Sequence, residues 1–134
     1  LEGKDVFIAD DIISSGESML DIAYALKERK ARRVFCYATY GLFVNGLEKF
    51  DKANEDGYID AVFSTNLTYR TDELLKREWF HEVDCSKYIS YLIASLNHDV
   101  SIGNVIDPNA KDQGTAGSEK QGKRISALSS AVLI

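Results

Sequence analysis

Four consecutive apolar residues, Val6-Phe7-Ile8-Ala9, stand between Asp5 and the acid pair Asp10-Asp11. Side chains of a strand alternate between two faces, so an unbroken apolar run predicts a strand over Asp5 to Asp10 that is covered on both. A helical pattern follows from Glu17 to about Lys30. Met19, Ile22, Ala23, Leu26 and Lys30 recur there at three- and four-residue steps, with the Lys30 stem covering the edge of the stripe. A buried strand followed by an amphipathic helix and another strand argues for a parallel sheet with right-handed crossovers.

The same alternation continues along the chain. Val34 to Tyr40 is rich in β-branched and aromatic residues and reads as a second strand, broken by Gly41. Asn45 is placed to cap a helix over Gly46 to Asn54, which Gly57 ends. Ile59 to Ser64 is a third strand. Thr71-Asp72-Glu73 opens a short helix over Leu74 to Arg77, and Trp79 to Val83 is a fourth strand. Asp84 is placed to cap a helix running to Asn97, with Tyr88, Ile89, Leu92, Ile93 and Leu96 as its buried stripe. The predicted fold is α/β, a parallel sheet with helices on both faces.

After Val105 the texture changes. Asp107-Pro108-Asn109 signals a turn, Lys111 to Arg124 is polar, and Ile125 to Ile134 is apolar but too short to cross a bilayer. Residues 1–106 are expected to form one domain, truncated on its N-terminal side, and residues 107–134 a flexible tail. The chain opens on Leu1, a few residues before its richest motif, which suggests the C-terminal part of a longer protein.

A net charge of −5 gives no global basic field for nucleic acid. The local basic run from Lys27 to Arg33 reads as a solvated helix end. No apolar run is long enough to span a membrane. Cys36, inside a strand, reads as a small buried hydrophobe, and Cys85 lies near a helix start with no base supplied nearby. Two cysteines without metal spacing suit a reduced, cytoplasmic setting.

The chemistry concentrates in Asp10-Asp11-Ile12-Ile13-Ser14-Ser15-Gly16-Glu17-Ser18. Ligands of open α/β sheets bind beyond the carboxyl ends of strands. Two carboxylates there can accept hydrogen bonds from a pair of sugar hydroxyls. An isolated Asp-Asp pair would more simply cap a turn and meet solvent. Here a phosphate-type loop follows, and that favours the functional reading. Ser15 and Ser18 carry hydroxyl donors, Gly16 permits a positive φ or close approach, and a helix start offers free amides to an anion. Ser14-x-x-Glu17 also fits a capping box. The charge of Glu17 would repel a phosphate, so Glu17 is expected to contribute its backbone N–H and turn its side chain outward.

This order of residues resembles the phosphoribosyl-diphosphate loop of type I phosphoribosyltransferases. Ala38-Thr39-Tyr40-Gly41-Leu42-Phe43 is similar to the Ala-Thr-His-Gly-(apolar)-Phe segment of ribose-phosphate diphosphokinases. Phe63-Ser64-Thr65-Asn66 and Val83-Asp84-Cys85-Ser86-Lys87-Tyr88-Ile89 resemble later segments of the same family, so the likeness covers roughly residues 3–106. The resemblance implies transfer of diphosphate from ATP to ribose 5-phosphate with Mg2+, in a cytoplasmic homo-oligomer. By position, Asp10 and Asp11 would contact ribose hydroxyls, and Ser14, Ser15, Gly16, Glu17 and Ser18 would hold the 5-phosphate. The sequence departs from the family at Tyr40, usually His, at Glu17, usually small, and at Ser14, usually Asp. The family's catalytic Lys and Arg, its metal ligands and most of its ATP site precede this region, so the fragment alone is expected to be inactive. Two alternatives remain open: a phosphoribosyltransferase consuming phosphoribosyl diphosphate with a nucleobase, and a non-catalytic regulatory homologue of the synthetase.

Other polar residues read as structural. His81 lies in a strand, His98 at a helix end, and Asn66, Tyr69 and Arg70 in a solvated loop, although Arg70 could reach a phosphate. Trp79 and Tyr88 read as core or subunit-contact residues.

Overall fold

A computed structural model describes residues 1–99 and 101–103 of the 134-residue chain. Strands β1 (Asp5–Ile13), β2 (Arg33–Gly41), β3 (Ala61–Thr65) and β4 (Phe80–Val83) alternate with helices α1 (Glu17–Glu28), α2 (Glu48–Glu55), α3 (Asp72–Leu75) and α4 (Ser86–Asn97). The strands form one sheet in the order β1-β2-β3-β4, every pair parallel. The α/β parallel architecture read from the sequence is therefore present. The chain divides into two compact units between Asp84 and Cys85. The sheet and α1 to α3 belong to the first unit and α4 to the second. The expected tail over residues 107–134 lies outside the described residues.

In the first unit the core is one-sided. Val6 and Ile8 of β1, Val34, Cys36 and Ala38 of β2 and Val62 of β3 are buried against Met19, Leu20, Ala23 and Leu26 of α1 and Phe50 and Ala53 of α2. A sheet wound in sequential order with crossovers of one hand puts its helices on one face. The other face carries the half-buried rings of Phe7, Phe35, Tyr37 and Phe63. Phe7 lies 6.4 Å from Tyr37 and 6.3 Å from Phe63, centroid to centroid. The expectation of cover on both faces is thus not met within this unit. The run Val6 to Ala9 is continuous because its second face is aromatic, and aromatic–aromatic contact across the sheet covers part of that surface.

Several boundaries move for local reasons. β1 runs on through the acid pair to Ile13, because Ile12 and Ile13 pair with Tyr40 and Gly41. α1 ends at Glu28, and Lys30 takes φ +63° beyond it, so Lys30 leaves the stripe and pairs with Glu2. Leu20 is buried while Ile22 is 40% exposed, which places the buried face at Met19, Leu20, Ala23 and Leu26. Lys27 lies along Asp60 instead, its ammonium also donating to the Arg32 carbonyl. α2 begins at Glu48 after Leu47, and Asn45 does not cap it. Gly57, at φ +74°, does end it, donating its N–H to the Asn54 carbonyl. Thr71 caps α3 as its position predicts, accepting from the Leu74 N–H at 3.1 Å.

α4 starts one residue later than Asp84 would place it, with Cys85 at the cap and no side-chain cap bond. Asp84 instead accepts from the Asn66 amide at 2.7 Å. None of the predicted stripe is fully buried. Ile89 and Leu92 are half-buried, while Tyr88, Ile93 and Leu96 are exposed. His98 closes α4 with its backbone N–H on the Ala94 carbonyl. Among the described residues no helix is long and apolar enough to cross a membrane.

Asp51 ties α2 to the segment before β4. It accepts from the Arg77 guanidinium at 2.9 Å and from the Trp79 indole N–H at 2.8 Å, and Trp79 is buried. Burial alone would raise the Asp51 carboxyl, but the bonds from Arg77 and Trp79 outweigh it and hold the carboxyl below its ordinary range. Asp5 is held well below that range by hydrogen bonds from Arg32 first and Arg33 second. A carboxylate whose pKa falls on folding stabilises the folded state above its unfolded value, near 3.9, and stops doing so as pH falls through the folded value. Stability is therefore expected to be flat from neutral pH to about 5 and to decline below about 4. In Asp51→Asn the acid decline is shallower, as urea midpoints between pH 7 and pH 3 will show. An unchanged slope would mean that Asp51 titrates alike in both states. The arginines paired with Asp5 are more exposed than Arg77, so solvent screens those ion pairs and makes Asp5 the smaller contributor.

Candidate functional site

The residues singled out from the sequence gather at the carboxyl ends of β1 and β2. Asp10 and Asp11 are both solvent-exposed there, and Asp10 Oδ1 accepts from the Asp11 backbone N–H at 2.8 Å. Burial alternates through Val6 and Ile8, yet Ile13 is also buried, so the pattern slips by one residue across the acid pair. β2 slips in step, from buried Ala38 to exposed Tyr40 to buried Gly41. The burial pattern therefore changes at the two aspartates while β1 stays paired with β2 on either side of them.

The loop that follows is supported from beneath. The Ile13 carbonyl accepts from the amides of Leu42 and Phe43 at 2.8 and 3.3 Å, and the Ser14 carbonyl accepts from the Val44 amide at 3.0 Å. Gly16 is the N-cap of α1 at φ +81°, the left-handed region that glycine adopts without strain. A Cβ at Gly16 would stand 2.3 Å from two ring atoms of Phe50, so the loop lies directly on the aromatic core. Phe43, at φ +47°, packs its ring 5.1 Å from that of Phe50. The Gly41-Leu42-Phe43 segment is thus the platform of the loop. Gly41 is needed for space, because a Cβ there would meet the Phe43 ring and the Ser64 hydroxyl, each at 2.8 Å.

The expected capping box does not form. Gly16, and not Ser14, is the N-cap, and the helix start carries no side-chain cap bond. Ser15 Oγ accepts from the Glu17 N–H at 3.4 Å. Among the described residues the amides of Gly16, Ser18 and Met19 meet no protein acceptor. They stand at the positive end of α1, with the exposed hydroxyls of Ser14 and Ser18 and the half-buried hydroxyl of Ser15 beside them. Glu17 turns its side chain outward, as its charge requires, into an ion pair with Lys49 of α2. That pair holds the Glu17 carboxyl below its ordinary value through the Lys49 hydrogen bond and charge.

Arg70 does not reach the loop. It pairs with Glu82 and donates to the carbonyls of Asn66 and Thr68. His81 stacks on Phe63 with centroids 5.1 Å apart. Burial pushes the Cys36 thiol up to about 12, so it is an inert core residue. Two concavities lie elsewhere: one of 270 Å³ between α1 and α2, lined by Glu17, Leu20, Asp21, Tyr24 and Lys49, and one of 190 Å³ between the β2–α2 and β3–α3 connections. The acid pair and the loop form an open edge and not a closed pocket. Lys49 and Phe50 were missed by sequence reasoning, since their link to the loop is tertiary, and Phe43 stood out only through its family resemblance.

Mg2+ binds six oxygens in octahedral geometry. Among the described residues no cluster of three or more His, Cys, Asp or Glu could hold a metal ion. Asp10 and Asp11 alone do not make such a site.

The ribose-phosphate pyrophosphokinase of Vibrio cholerae is 31% identical over 102 residues, covering 76% of this chain and 32% of that protein. The pyrophosphokinase of Haemophilus ducreyi is 32% identical over 104 residues, with 78% and 32% covered. That of Pyrococcus abyssi reaches 44% identity over 69 residues, with 51% and 24% covered. The chain thus spans about a third, or less, of the length of these relatives. A crystal structure of phosphoribosylpyrophosphate synthetase from Mycobacterium smegmatis has the same fold, with a TM-score of 0.63 at 19% identity over 73% of this chain and 32% of that one. Residues 1–106 match the phosphoribosyl synthetase-associated domain, and the chain belongs to that family.

Proposed function

We propose that this chain is the ribose 5-phosphate-binding part of a ribose-phosphate diphosphokinase, lying toward the C-terminus of the whole protein. The observation that carries the reading is the edge itself: two exposed aspartates near the end of a strand, one short loop away from a helix start at which the amides of Gly16, Ser18 and Met19 lack protein acceptors. The amides of Gly16, Ser18 and Met19 and the hydroxyls of Ser14, Ser15 and Ser18 hold the 5-phosphate. Asp10 and Asp11 accept from the ribose hydroxyls and fix the ring. Both carboxylates act as acceptors only, so they orient the sugar and move no proton.

In the whole protein ATP would be the diphosphate donor, and the residues that hold Mg2+ would lie outside those described. Group transfer of this kind depends on positioning and charge stabilisation, and this chain supplies the positioning of the acceptor sugar. The isolated chain binds the sugar phosphate but does not transfer diphosphate. Homo-oligomeric assembly of the whole protein belongs to the same reading.

Calorimetric titration with ribose 5-phosphate tests it. Hydrogen bonds to a charged acceptor contribute about 1.5–3 kcal/mol, so Asp11→Asn is expected to weaken binding about ten- to a hundredfold. An Asp11→Asn chain that binds as tightly as the unsubstituted one removes the acid pair from the site. Diphosphate transfer by the isolated chain overturns the division of labour.

A further inference from the structure

Glu17 is a carboxylate in the first turn of the helix that, on the reading above, receives a phosphate. An unpaired negative charge there would oppose a dianionic ligand at every separation the loop allows. The structure turns this side chain to the flank of α1, where it lines the 270 Å³ groove with Leu20, Asp21, Tyr24 and Lys49. The Lys49 ammonium forms an ion pair with it across 32 residues of sequence. Lys49 is also attracted by Asp21, one turn further along α1, so two acids of α1 share one cation of α2.

We infer that Lys49 is a positioning residue for the sugar-phosphate site: it holds the Glu17 carboxylate away from the loop mouth and cancels its charge. The inference rests on the ribose 5-phosphate reading of the loop and adds a role for a residue outside it. Lys49 does not touch the ligand. It acts through Glu17, and its effect must vanish when the Glu17 charge is removed. The pair is about half-exposed on both sides, 53% and 57%, so it contributes little to folding. Its consequence is local: the Glu17 charge is offset beside the anion site.

The test is a double-mutant cycle on the full chain, read by calorimetric titration with ribose 5-phosphate at low ionic strength. Lys49→Met is expected to weaken binding about fivefold, the size of a nearby charge acting on a dianion in a solvated site. Lys49→Arg keeps the charge and is expected to restore affinity. Glu17→Gln is expected to bind at least as tightly as the unsubstituted chain. In the Glu17→Gln background, Lys49→Met is expected to change affinity less than about twofold, and added salt should erase the difference between backgrounds. An equal loss from Lys49→Met in both backgrounds would mean that Lys49 meets the phosphate directly and overturns the inference. Unchanged affinity in Lys49→Met overturns it as well, while leaving the loop reading intact. If the unsubstituted chain binds no ribose 5-phosphate, the loop reading falls and the inference falls with it. Thermal midpoints of all five proteins are expected to agree, which separates a binding effect from a folding one.

Discussion

Phe50→Ala is expected to lower the stability of the unit formed by residues up to Asp84 by about 3–5 kcal/mol, the usual cost of emptying a buried aromatic site. Phe50 has no exposed surface. Its ring stacks on Trp79 at 5.6 Å and meets the edge of Phe43 at 5.1 Å, and the backbone of Gly16 lies on it. Each of those neighbours comes from a different connection between elements. The cavity left by alanine cannot close by a small shift of one of them, because Trp79 is fixed by its bond to Asp51 and Phe43 by its backbone bond to Ile13. For a domain of this size the loss corresponds to a fall in Tm of about 15 °C or more. Urea denaturation followed by tryptophan fluorescence reads it, since Trp79 packs on the substituted ring. Phe50→Leu retains most of the volume and is expected to lose roughly a third as much. A loss below about 1 kcal/mol for Phe50→Ala would mean that the site relaxes and that Phe50 does not organise this core.

Phe50 also shows where the sequence stopped being readable. The order of strands and helices was legible from periodicity, because each element carries its own pattern of apolar residues. The candidate site was legible as far as it is contiguous: Asp10 to Ser18 form the strand end, the turn and the helix start in one stretch. The platform beneath was not legible. Gly41-Leu42-Phe43 stood out through its resemblance, yet nothing in the letters says that Phe43 takes a positive φ and carries the Ser14 loop. The cap of α1 was misread for a related reason. Ser14-x-x-Glu17 satisfies the spacing of a capping box, but Glu17 is drawn to Lys49, and the left-handed Gly16 turns the chain into the helix unaided. Local spacing proposes a cap, and a tertiary charge withdraws it. The buried stripe assigned to α4 fails differently. Helical periodicity reports which face is apolar and not whether a neighbour covers it, and Tyr88, Ile93 and Leu96 remain exposed. The continuous apolar run of β1 shows the same limit, since one of its faces is covered by rings of its own sheet.

Gly16→Ala is expected to damage both the fold and the site. Two costs add at this position. Alanine at φ +81° pays about 1 kcal/mol for the left-handed conformation. Its Cβ would also stand 2.3 Å from Cε2 and Cζ of Phe50, so the ring or the loop must move in a filled core, at about 1–3 kcal/mol. The total is about 2–4 kcal/mol, measurable by the same urea denaturation. Gly16→Asn separates the two causes, because asparagine tolerates positive φ but still carries a Cβ. It is expected to be nearly as unstable as Gly16→Ala. Wild-type stability in Gly16→Asn would show that only the backbone conformation matters and that the contact with Phe50 is slack. Phe50→Leu supplies the converse control. With a smaller side chain beneath, Gly16→Ala should cost less than it does on the native core, and the shortfall measures the contact directly. The same displacement lifts the amides of Gly16, Ser18 and Met19 out of register with one another, and hydrogen bonds to an anion weaken steeply with misalignment. Ribose 5-phosphate binding by folded Gly16→Ala is therefore expected to fall more than about tenfold, a loss of three converging donors that no change at the acid pair would repair.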